Sequence, residues 1–216
     1  MRILITGTSR GIGLACARKY LAAGHEVTGL DLKESAILDC PSYTHIIADI
    51  TGDLPDIPGE IHVLVNNAGV QEGGREIEVN LAGTIAVTEK YGIRPSIRSI
   101  LFMASSSASN GAEFPRYAAS KGGVVAYMKN VALRVSPFGA TSNSISAGGV
   151  YTPLNRHIID NPVLMDQCLD ETLLHRWAAP EEIADWCYFM TNINRSMTGQ
   201  DILIDNGEQL KSNFVW

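Results

Sequence analysis

Residues 2–13 read Arg-Ile-Leu-Ile-Thr-Gly-Thr-Ser-Arg-Gly-Ile-Gly and predict a short buried strand that passes through a glycine-rich loop into a helix. Gly7 permits a tight turn, Gly11 lets the backbone approach a ligand, and Gly13 lets the helix pack closely against the strand. Free N–H groups at the helix N-terminus favour the phosphates of a dinucleotide. The alternative is a strand–helix turn that needs glycine only for its own conformation.

Apolar strand-like runs alternate with helical patterns along the rest of the chain. We predict strands at Arg2–Thr6, Glu26–Leu30, Tyr43–Ala48, Ile61–Val65, Ser99–Ala104, Ala140–Ile145 and Asp201–Ile204, and helices at Ile12–Ala23, Glu76–Tyr91 and Arg116–Val135. Such alternation implies parallel strands joined by right-handed crossovers. We therefore predict an α/β fold with one Rossmann-type, doubly wound parallel sheet of about seven strands, in the order 3-2-1-4-5-6-7, with helices on both faces. No linker or repeat divides residues 1–216, which predicts a single domain.

The third crossover, between Asp49 and Ile61, departs from this pattern. It contains two prolines and two glycines, which leave no place for an ordinary crossover helix. We expect a loop or a single turn there.

Composition narrows the classes of function. The 216 residues are 45% hydrophobic and carry a formal net charge of −6, which argues against nucleic acid or an anionic membrane surface as the main partner. No apolar run approaches the ~20 residues that span a bilayer, and the first strand leaves no room for a signal peptide. The cysteines have no paired or metal-ligand spacing. We expect a cytoplasmic protein with reduced cysteines and no bound metal; the four cysteines are Cys16, Cys40, Cys168 and Cys187.

Asp31 ends the second predicted strand, where a carboxylate can accept hydrogen bonds from the adenosine ribose hydroxyls of a dinucleotide. The same carboxylate would repel a 2′-phosphate, which favours NAD over NADP. Arg10 argues the other way, because a guanidinium there could pair with that phosphate. A solvated strand end is the functionally silent alternative for Asp31.

Tyr117 and Lys121 are four residues apart and share one face of a predicted helix. The pKa of a free tyrosine is about 10, and a neighbouring ammonium lowers it by favouring the phenolate. The pair therefore predicts a proton-transfer group that works near neutral pH. A half-buried tyrosine beside a solvated lysine is the alternative.

With these residues in place, the chain resembles the classical short-chain dehydrogenase/reductase family from Arg2 to about Gly207. Several further segments are similar to family motifs: Asp49-Ile50, Asn66-Asn67-Ala68-Gly69, Asn80, Asn143-Ser144-Ile145-Ser146, Thr152-Pro153-Leu154, residues 176–184 and residues 199–205. The resemblance implies a cofactor site made by Gly7, Ser9, Arg10, Gly11, Ile12, Gly13, Asp31, Asp49, Ile50, Asn67, Ala68, Gly69, Tyr117, Lys121, Val150 and Thr152.

The resemblance also implies a catalytic set of Asn80, Ser105, Tyr117 and Lys121. Tyr117 would exchange a proton with the substrate, and Lys121 would lower the tyrosine pKa and hold the nicotinamide ribose. Ser105 would position the substrate oxygen, although the neighbouring Ser106 is also a candidate. Asn80 would perturb its helix and hold a water that connects Lys121 to solvent. The implied activity is NAD(H)-dependent interconversion of a secondary alcohol and a ketone.

The chain departs from the family pattern in several places. It is short, the third crossover lacks its helix, Ala147 stands where proline is common, and Asn206 replaces a common glycine. Thr152 could also cap a helix before Pro153. None of these changes removes a predicted catalytic group.

The expected substrate lid is residues 152–180, with Tyr151, His157, Leu164, Met165 and Leu169 as one wall of the pocket. The loops Val70–Arg75 and Asn110–Arg116 would form the other wall. Polar residues there suggest a sugar-like or otherwise hydroxylated substrate; they are Gln71, Glu72, Arg75 and Glu113. The family commonly pairs the two helices at 76–91 and 116–135 across a two-fold axis, which implies a homodimer or homotetramer. The alternative function is a cofactor-binding sensor that has lost turnover.

Overall fold

The computed structural model describes residues 1–112 and 114–211, and one parallel sheet of seven strands organises it. The strands are β1 (Arg2–Thr6), β2 (Glu26–Asp31), β3 (Tyr43–Ile47), β4 (Val63–Asn66), β5 (Ser99–Met103), β6 (Thr141–Ala147) and β7 (Asp201–Ile204). Their order is β3-β2-β1-β4-β5-β6-β7, and every pairing is parallel. The predicted fold class and strand order are confirmed.

Helices pack on both faces of this sheet. The α-helices are α1 (Gly11–Ala22), α2 (Thr84–Tyr91), α3 (Ser107–Asn110), α4 (Pro115–Val135), α5 (Arg156–Ile159), α6 (Pro162–Asp170) and α7 (Pro180–Tyr188). Two π-helical segments, Ile77–Gly83 and Phe189–Ile193, precede α2 and follow α7. Short 3₁₀ turns lie at Ser136–Phe138, Pro153–Asn155 and Glu208–Leu210.

Alternating strand residues build one hydrophobic core on each face of the sheet. Ile3 and Ile5 of β1 face the core that includes α1 and α7, whereas Leu4 faces the core that includes α2 and α4. All three side chains are buried. Burial of both faces explains why the strands read as continuous apolar runs.

The third crossover is a loop, as predicted. The loop is held against α2, where Lys90 Nζ donates to the Leu54 carbonyl at 2.6 Å and the Tyr91 hydroxyl donates to the Pro55 carbonyl. Lys90 Nζ also lies 3.0 Å from the Asp56 carboxylate. Side chains of α2 therefore organise the segment that lacks a helix of its own.

Two predicted elements differ from the structure. β4 begins at Val63 rather than Ile61, and just before it the His62 imidazole accepts a hydrogen bond from the Arg2 amide at 3.1 Å. The helix predicted over Glu76–Tyr91 is helical from Glu76 but is π-helical from Ile77 to Gly83. β1 and β7 have the predicted bounds, and the boundaries of the other predicted elements shift by at most two residues.

None of the four cysteines, all of which lie in the described ranges, forms a disulfide, and Cys16 and Cys187 are buried. No helix within the described ranges is both long and apolar enough to cross a bilayer.

Candidate active site

A cavity of about 930 Å³ lies along the carboxyl ends of the strands, where doubly wound sheets bind ligands. We call the part at the ends of β1 to β4 the cofactor half. The substrate half is formed by the loop 104–112, the lid 152–180 and the C-terminal turn 205–211. Of the predicted cofactor residues, all except Ser9 and Gly13 line the cavity, and so do Ser105, Tyr117 and Lys121.

The glycine loop shapes the cofactor half through its backbone. Gly7 and Gly11 have φ angles of +77° and +55°, a region that favours glycine. A Cβ on Gly13 would lie 2.0 Å from the Gly7 carbonyl oxygen, so only glycine fits where α1 crosses β1. No side chain caps the first turn of α1, whose N–H groups remain available to an anion.

Asp31 is held in place by backbone donors. Its Oδ2 accepts from the Ser9 amide at 2.9 Å, and its Oδ1 accepts from the Lys33 amide at 3.0 Å. Ser9 therefore holds the Asp31 carboxylate in place and does not itself line the cavity. Arg10 and Lys33 also line the cavity, so two cations accompany the carboxylate. Sequence reasoning missed Lys33, an exposed residue in an ordinary loop.

The Asp49 carboxylate is bound at 2.9 Å by the Thr51 amide and at 2.7 Å by the Thr51 hydroxyl. These hydrogen bonds, together with the nearby Arg75 guanidinium, lower the pKa of Asp49. Ile50 follows it into the cavity and contacts Gly83, where a Cβ would lie 2.9 Å from the Ile50 side chain. The pair therefore forms a fixed surface at the end of β3.

The loop after β4 is tied to the glycine loop. Asn67 Nδ2 donates to the Thr6 and Gly7 carbonyls at 2.9 and 3.1 Å, and the Thr6 hydroxyl accepts from the Ala68 amide at 3.0 Å. A Cβ on Gly69 would lie 3.5 Å from Lys121 Nζ. This loop therefore joins the cofactor half to the predicted catalytic lysine.

The structure brings Ser105, Tyr117 and Lys121 together. Ser105 lines the same cavity as Tyr117 and lowers the pKa of the Tyr117 phenol, and Lys121 Nζ lies 5.6 Å from the centre of the tyrosine ring. Lys121 Nζ also donates to the Met103 carbonyl at 2.7 Å. Ser106 instead directly precedes the short helix α3, and its amide donates to the Ala147 carbonyl at 2.9 Å. Of the two candidate serines, Ser105 is therefore the one whose hydroxyl affects the Tyr117 phenol.

Burial controls the ionisation of this group. Burial raises the pKa of the Tyr117 phenol, and the Ser105 hydrogen bond opposes that rise. Burial also lowers the pKa of Lys121 to about 8. The expectation that Lys121 brings the phenol pKa toward neutrality is not met in the chain by itself, because desolvation is the largest influence on that pKa and raises it.

Asn80 does not line the cavity but supports it from behind. Its Oδ1 accepts from the Val70 amide and its Nδ2 donates to the Val70 carbonyl, each at 2.8 Å. Nδ2 also donates to the Ser120 hydroxyl at 2.9 Å. Asn80 sits within the π-helical segment Ile77–Gly83, a distortion common at functional sites. It therefore links the loop after β4 to the helix that carries Tyr117.

Val150 and Thr152 close the cofactor half from the far side. Val150 forms an isolated bridge with Ala178, and the Thr152 side chain would lie 3.4 Å from a Cβ on Gly11. Thr152 makes no side-chain cap to the following 3₁₀ turn. The capping alternative is therefore absent, and Thr152 faces the glycine loop.

The segment 152–180, predicted to be the lid, contributes to the cavity wall but not through the predicted residues. The five expected wall residues do not line the cavity in the part of the chain that the structure describes; they are Tyr151, His157, Leu164, Met165 and Leu169. The lid breaks into a 3₁₀ turn and two short helices, so one helical period does not run through it. It contributes instead Leu154, Asn155, Ile158, Cys168, Asp170, Glu171 and Trp177.

The opposite wall matches the sequence prediction in part. The loop after β4 contributes Gln71, Glu72 and Arg75, and the loop after β5 contributes Asn110, whereas Glu113 lies outside the described residues. Sequence reasoning missed the C-terminal turn, which contributes Glu208, Gln209 and Lys211. Only long-range packing brings that turn here, and no local pattern marks it.

The cavity fits a dinucleotide at the cofactor half and a small molecule beside Tyr117. Three glycines leave room for a close backbone approach, uncapped N–H groups suit phosphates, and Asp31 stands at the end of β2. Fold and site together define an oxidoreductase of the Rossmann type.

Comparison with known proteins gives the family. A family model described as enoyl-(acyl carrier protein) reductase matches residues 39–209. The chain is 28% identical over 246 residues to short chain dehydrogenase ausX of Penicillium brasilianum, covering 94% of each chain. It is 27% identical to L-fucose dehydrogenase of Bos taurus, covering 96% of this chain and 89% of the relative.

A solved structure gives the same answer. Ligand-free aldohexose dehydrogenase of Thermoplasma acidophilum superposes with a TM-score of 0.87 at 26% identity, covering 100% of this chain and 96% of the other. The chain belongs to the short-chain dehydrogenase/reductase family, whose members use nicotinamide cofactors.

Proposed function

We propose that this protein is an NAD(H)-dependent oxidoreductase that interconverts a secondary alcohol and a ketone by direct hydride transfer. The observation that carries the proposal is that Ser105 and Tyr117 line the same cavity beside the buried ammonium of Lys121, with the Ser105 hydroxyl near enough to lower the pKa of the phenol. Two hydroxyl groups that line one cavity can both hydrogen-bond a single substrate oxygen. That arrangement suits a carbonyl or alcohol oxygen on the reacting carbon.

Each catalytic residue has a distinct task. Ser105 holds the substrate oxygen, and Tyr117 accepts the alcohol proton during oxidation and returns it during reduction. Lys121 supplies positive charge beside the phenol and holds the nicotinamide ribose. The nicotinamide, when bound, supplies the hydride acceptor or donor. Because burial raises the Tyr117 pKa, oxidation should speed up as pH rises through the pKa of the phenol.

Asn80 has a positioning task in this proposal. Its side chain is fully engaged by the Val70 backbone and Ser120, so it holds the π-helical segment rather than the substrate. A water held by this segment would connect Lys121 to solvent and complete the proton route.

The proposed cofactor is NAD rather than NADP. Asp31 presents a carboxylate whose orientation is fixed by two backbone amides, and a 2′-phosphate placed against it would meet an unfavourable charge. Arg10 and Lys33 reduce this discrimination, since both line the same part of the cavity. The remaining cofactor contacts are proposed for the glycine loop, Asp49, Ile50, the Asn67–Gly69 loop, Val150 and Thr152.

The proposed substrate is small and hydroxylated. Amide and carboxylate side chains line the cavity beside the substrate half from several segments: Gln71, Glu72, Asn110, Asn155, Glu171 and Gln209. Polar groups of this kind favour partners that can satisfy their hydrogen bonds. The names of two proteins similar to this chain, L-fucose dehydrogenase and aldohexose dehydrogenase, also support a sugar-like substrate.

We also propose a homo-oligomer in the cytoplasm. Within the described parts of 76–91 and 116–135, the exposed large apolar side chains are Ile77 and Leu133, fewer than a continuous stripe needs. A larger exposed group lies on α7, the following π-helix and β7: Trp186, Phe189, Ile193 and Leu203. Solution scattering at micromolar concentration should show a dimer or tetramer, and a monomer would contradict the proposal.

Isotope transfer tests the proposed reaction. The purified protein is incubated with NAD or NADP and a panel of secondary alcohols, sugars among them, deuterated at the carbinol carbon that would become the ketone. We expect deuterium in the reduced nicotinamide, with NAD preferred. Cofactor binding without turnover across the panel would favour the sensor alternative, and release of the label to solvent would contradict direct hydride transfer.

A further inference from the structure

The C-terminal turn that follows β7 has a fixed shape. Asp205 is buried, its Oδ1 accepts from the Gly207 amide and its Oδ2 accepts from the Gln209 amide, each at 2.9 Å. Asn206 and Gly207 have left-handed φ angles of 55° and 83°. The turn therefore presents Gln209 in one defined direction, toward the substrate half of the cavity.

The Gln209 side chain reaches across to the loop that follows β5, about a hundred residues earlier in the chain. Its Nε2 donates to the Ser106 carbonyl at 2.8 Å and to the Ser109 hydroxyl at 3.0 Å. Both amide hydrogens are thus used on one loop. These bonds join two walls of the cavity that share no secondary structure.

The loop that Gln209 holds is the loop that carries Ser105. The Ser106 amide donates to the Ala147 carbonyl at 2.9 Å, and the Ser105 carbonyl accepts from the Ala108 amide at 2.9 Å. The peptide groups around Ser106 are therefore held by β6 on one side and by Gln209 on the other. Ser105 directly precedes this peptide, and its hydroxyl accepts a hydrogen bond from the Ser107 amide of the same loop at 3.2 Å, so the position of the hydroxyl depends on the position of the loop.

We propose that Gln209 is a positioning residue that sets the Ser105 hydroxyl against Tyr117, so that the C-terminal turn is part of the catalytic apparatus and not only a wall of the pocket. This inference rests on the proposed function, since it assigns Ser105 a role in turnover. A small error in the position of a substrate-binding hydroxyl is costly, because a shift of about 1 Å can lower the rate by about 10²-fold.

The test is a double-mutant cycle between Gln209→Met and Ser105→Ala. Methionine keeps the length of the side chain but cannot donate hydrogen bonds. We expect Gln209→Met to lower kcat by about 10- to 100-fold on the panel alcohol that the wild type oxidises fastest, with an unchanged Kd for NADH. In the Ser105→Ala background the same change should have little further effect, because coupled residues are not additive. Leu210→Ala is the matched control, since this neighbour on the same turn has an exposed side chain and should leave kcat unchanged.

A second measurement, which needs no substrate, also tests whether Gln209 positions Ser105. Ultraviolet titration of the phenolate, taken as the difference from Tyr117→Phe, reports the Tyr117 pKa directly. Loss of the Ser105 hydrogen bond removes the contact that opposes the burial-driven rise in this pKa. We therefore expect Gln209→Met to raise the pKa of Tyr117 in the same direction as Ser105→Ala.

The outcomes separate the two proposals. If Ser105→Ala lowers turnover while Gln209→Met leaves both kcat and the Tyr117 titration unchanged, the role of Gln209 is overturned and the proposed function stands. Losses that add in the double mutant also overturn it, because they indicate a general effect on the fold. If Ser105→Ala is itself neutral, both assignments fall.

Discussion

The two halves of the cavity are built in different ways. Backbone groups from one short segment, residues 2–13, shape the cofactor half. Position 13 in this segment requires glycine, because a Cβ there would lie 2.0 Å from the Gly7 carbonyl oxygen. Side chains from distant segments shape the substrate half, where Gln209 bonds to the loop that carries Ser105. A nearly uniform cofactor can be bound by backbone, whereas a particular substrate needs side chains.

This difference predicts what kind of effect substitutions in each half of the cavity should have. A change in the glycine loop of the cofactor half should act through sterics and backbone conformation, with large and general effects. A change in the substrate half should act through hydrogen bonds and position, with smaller effects that depend on the neighbouring residues.

The largest effect is expected for Gly13→Val. The new side chain cannot fit against the Gly7 carbonyl, so α1 must move away from β1, at a cost of about 3 kcal/mol or more in the free energy of unfolding. NADH binding should be lost in calorimetry even where the protein remains folded. Gly52→Ala is the control, because its nearest neighbour would be 3.6 Å away. If Gly13→Val bound NADH with wild-type affinity, the claim that close packing of α1 on β1 is needed for cofactor binding would be contradicted.

Lys121, which lies where the two halves of the cavity meet, should affect activity and stability in opposite directions. Lys121→Met should lower activity and raise stability. We expect kcat to fall by about 10²- to 10⁴-fold, because the charge beside the phenol is removed. Burial of the ammonium lowers the Lys121 pKa to about 8, so the folded state disfavours the charged form. The variant should therefore be more stable at pH 7 by about 1–3 kcal/mol.

The pH dependence of that gain has a definite sign. Below pH 8 lysine is charged in both folded and unfolded chains, and the cost of burial applies in full. Between pH 8 and the unfolded value of about 10.4 the unfolded chain binds more protons, so the wild type becomes more stable as pH rises. Urea unfolding at pH 7 and pH 10 should show the gap narrowing. If Lys121→Met were less stable than the wild type at pH 7, the claim that the buried Lys121 charge destabilises the folded protein would be contradicted.

The cofactor half was largely predictable from sequence because its information is local. The glycine spacing, the strand ends at Asp31 and Asp49, and the helical spacing of Tyr117 and Lys121 all follow from residues close together in the chain. The loop character of the third crossover was predictable for the same reason, since its prolines exclude a helix.

The substrate half was not predictable to the same extent. The lid lacks a continuous helical period, so its inward-facing residues could not be assigned from spacing. The π-helical segment depends on Asn80 bonding to Val70 and Ser120, which are contacts between separate elements. Gln209 reaches the site only because β7 lies beside β6 at the sheet edge.

Asp31→Ser should produce a moderate change confined to cofactor choice. Serine removes the charge that opposes a 2′-phosphate while Arg10 and Lys33 remain in the cavity. We expect the ratio of kcat/KM for NAD to that for NADP to fall by about tenfold or more, a change of about 1.4 kcal/mol. Lys33→Ser, the matched change at a cation, should move the ratio toward NAD. An unchanged ratio in Asp31→Ser would remove Asp31 from cofactor selection.

The smallest effect is expected at Asn206 in the C-terminal turn. This residue has a left-handed φ of 55°, and its buried Nδ2 has no hydrogen-bond partner among the residues that the structure describes. Asn206→Gly should therefore raise the free energy of unfolding by about 0.5–1 kcal/mol, measured in urea. Asn206→Ala, which keeps the strained backbone, should gain less. A loss of stability in Asn206→Gly would show that the asparagine makes a contribution this account omits.

The central claim is that the Tyr117 phenol exchanges the substrate proton. The most direct test is Tyr117→Phe, with turnover and NADH affinity measured on the same preparation. We expect kcat to fall by about 10²- to 10⁴-fold while the Kd for NADH stays within about twofold, because the ring is kept and only the hydroxyl is lost. Near-normal turnover in Tyr117→Phe would contradict the claim and remove Tyr117 from the mechanism.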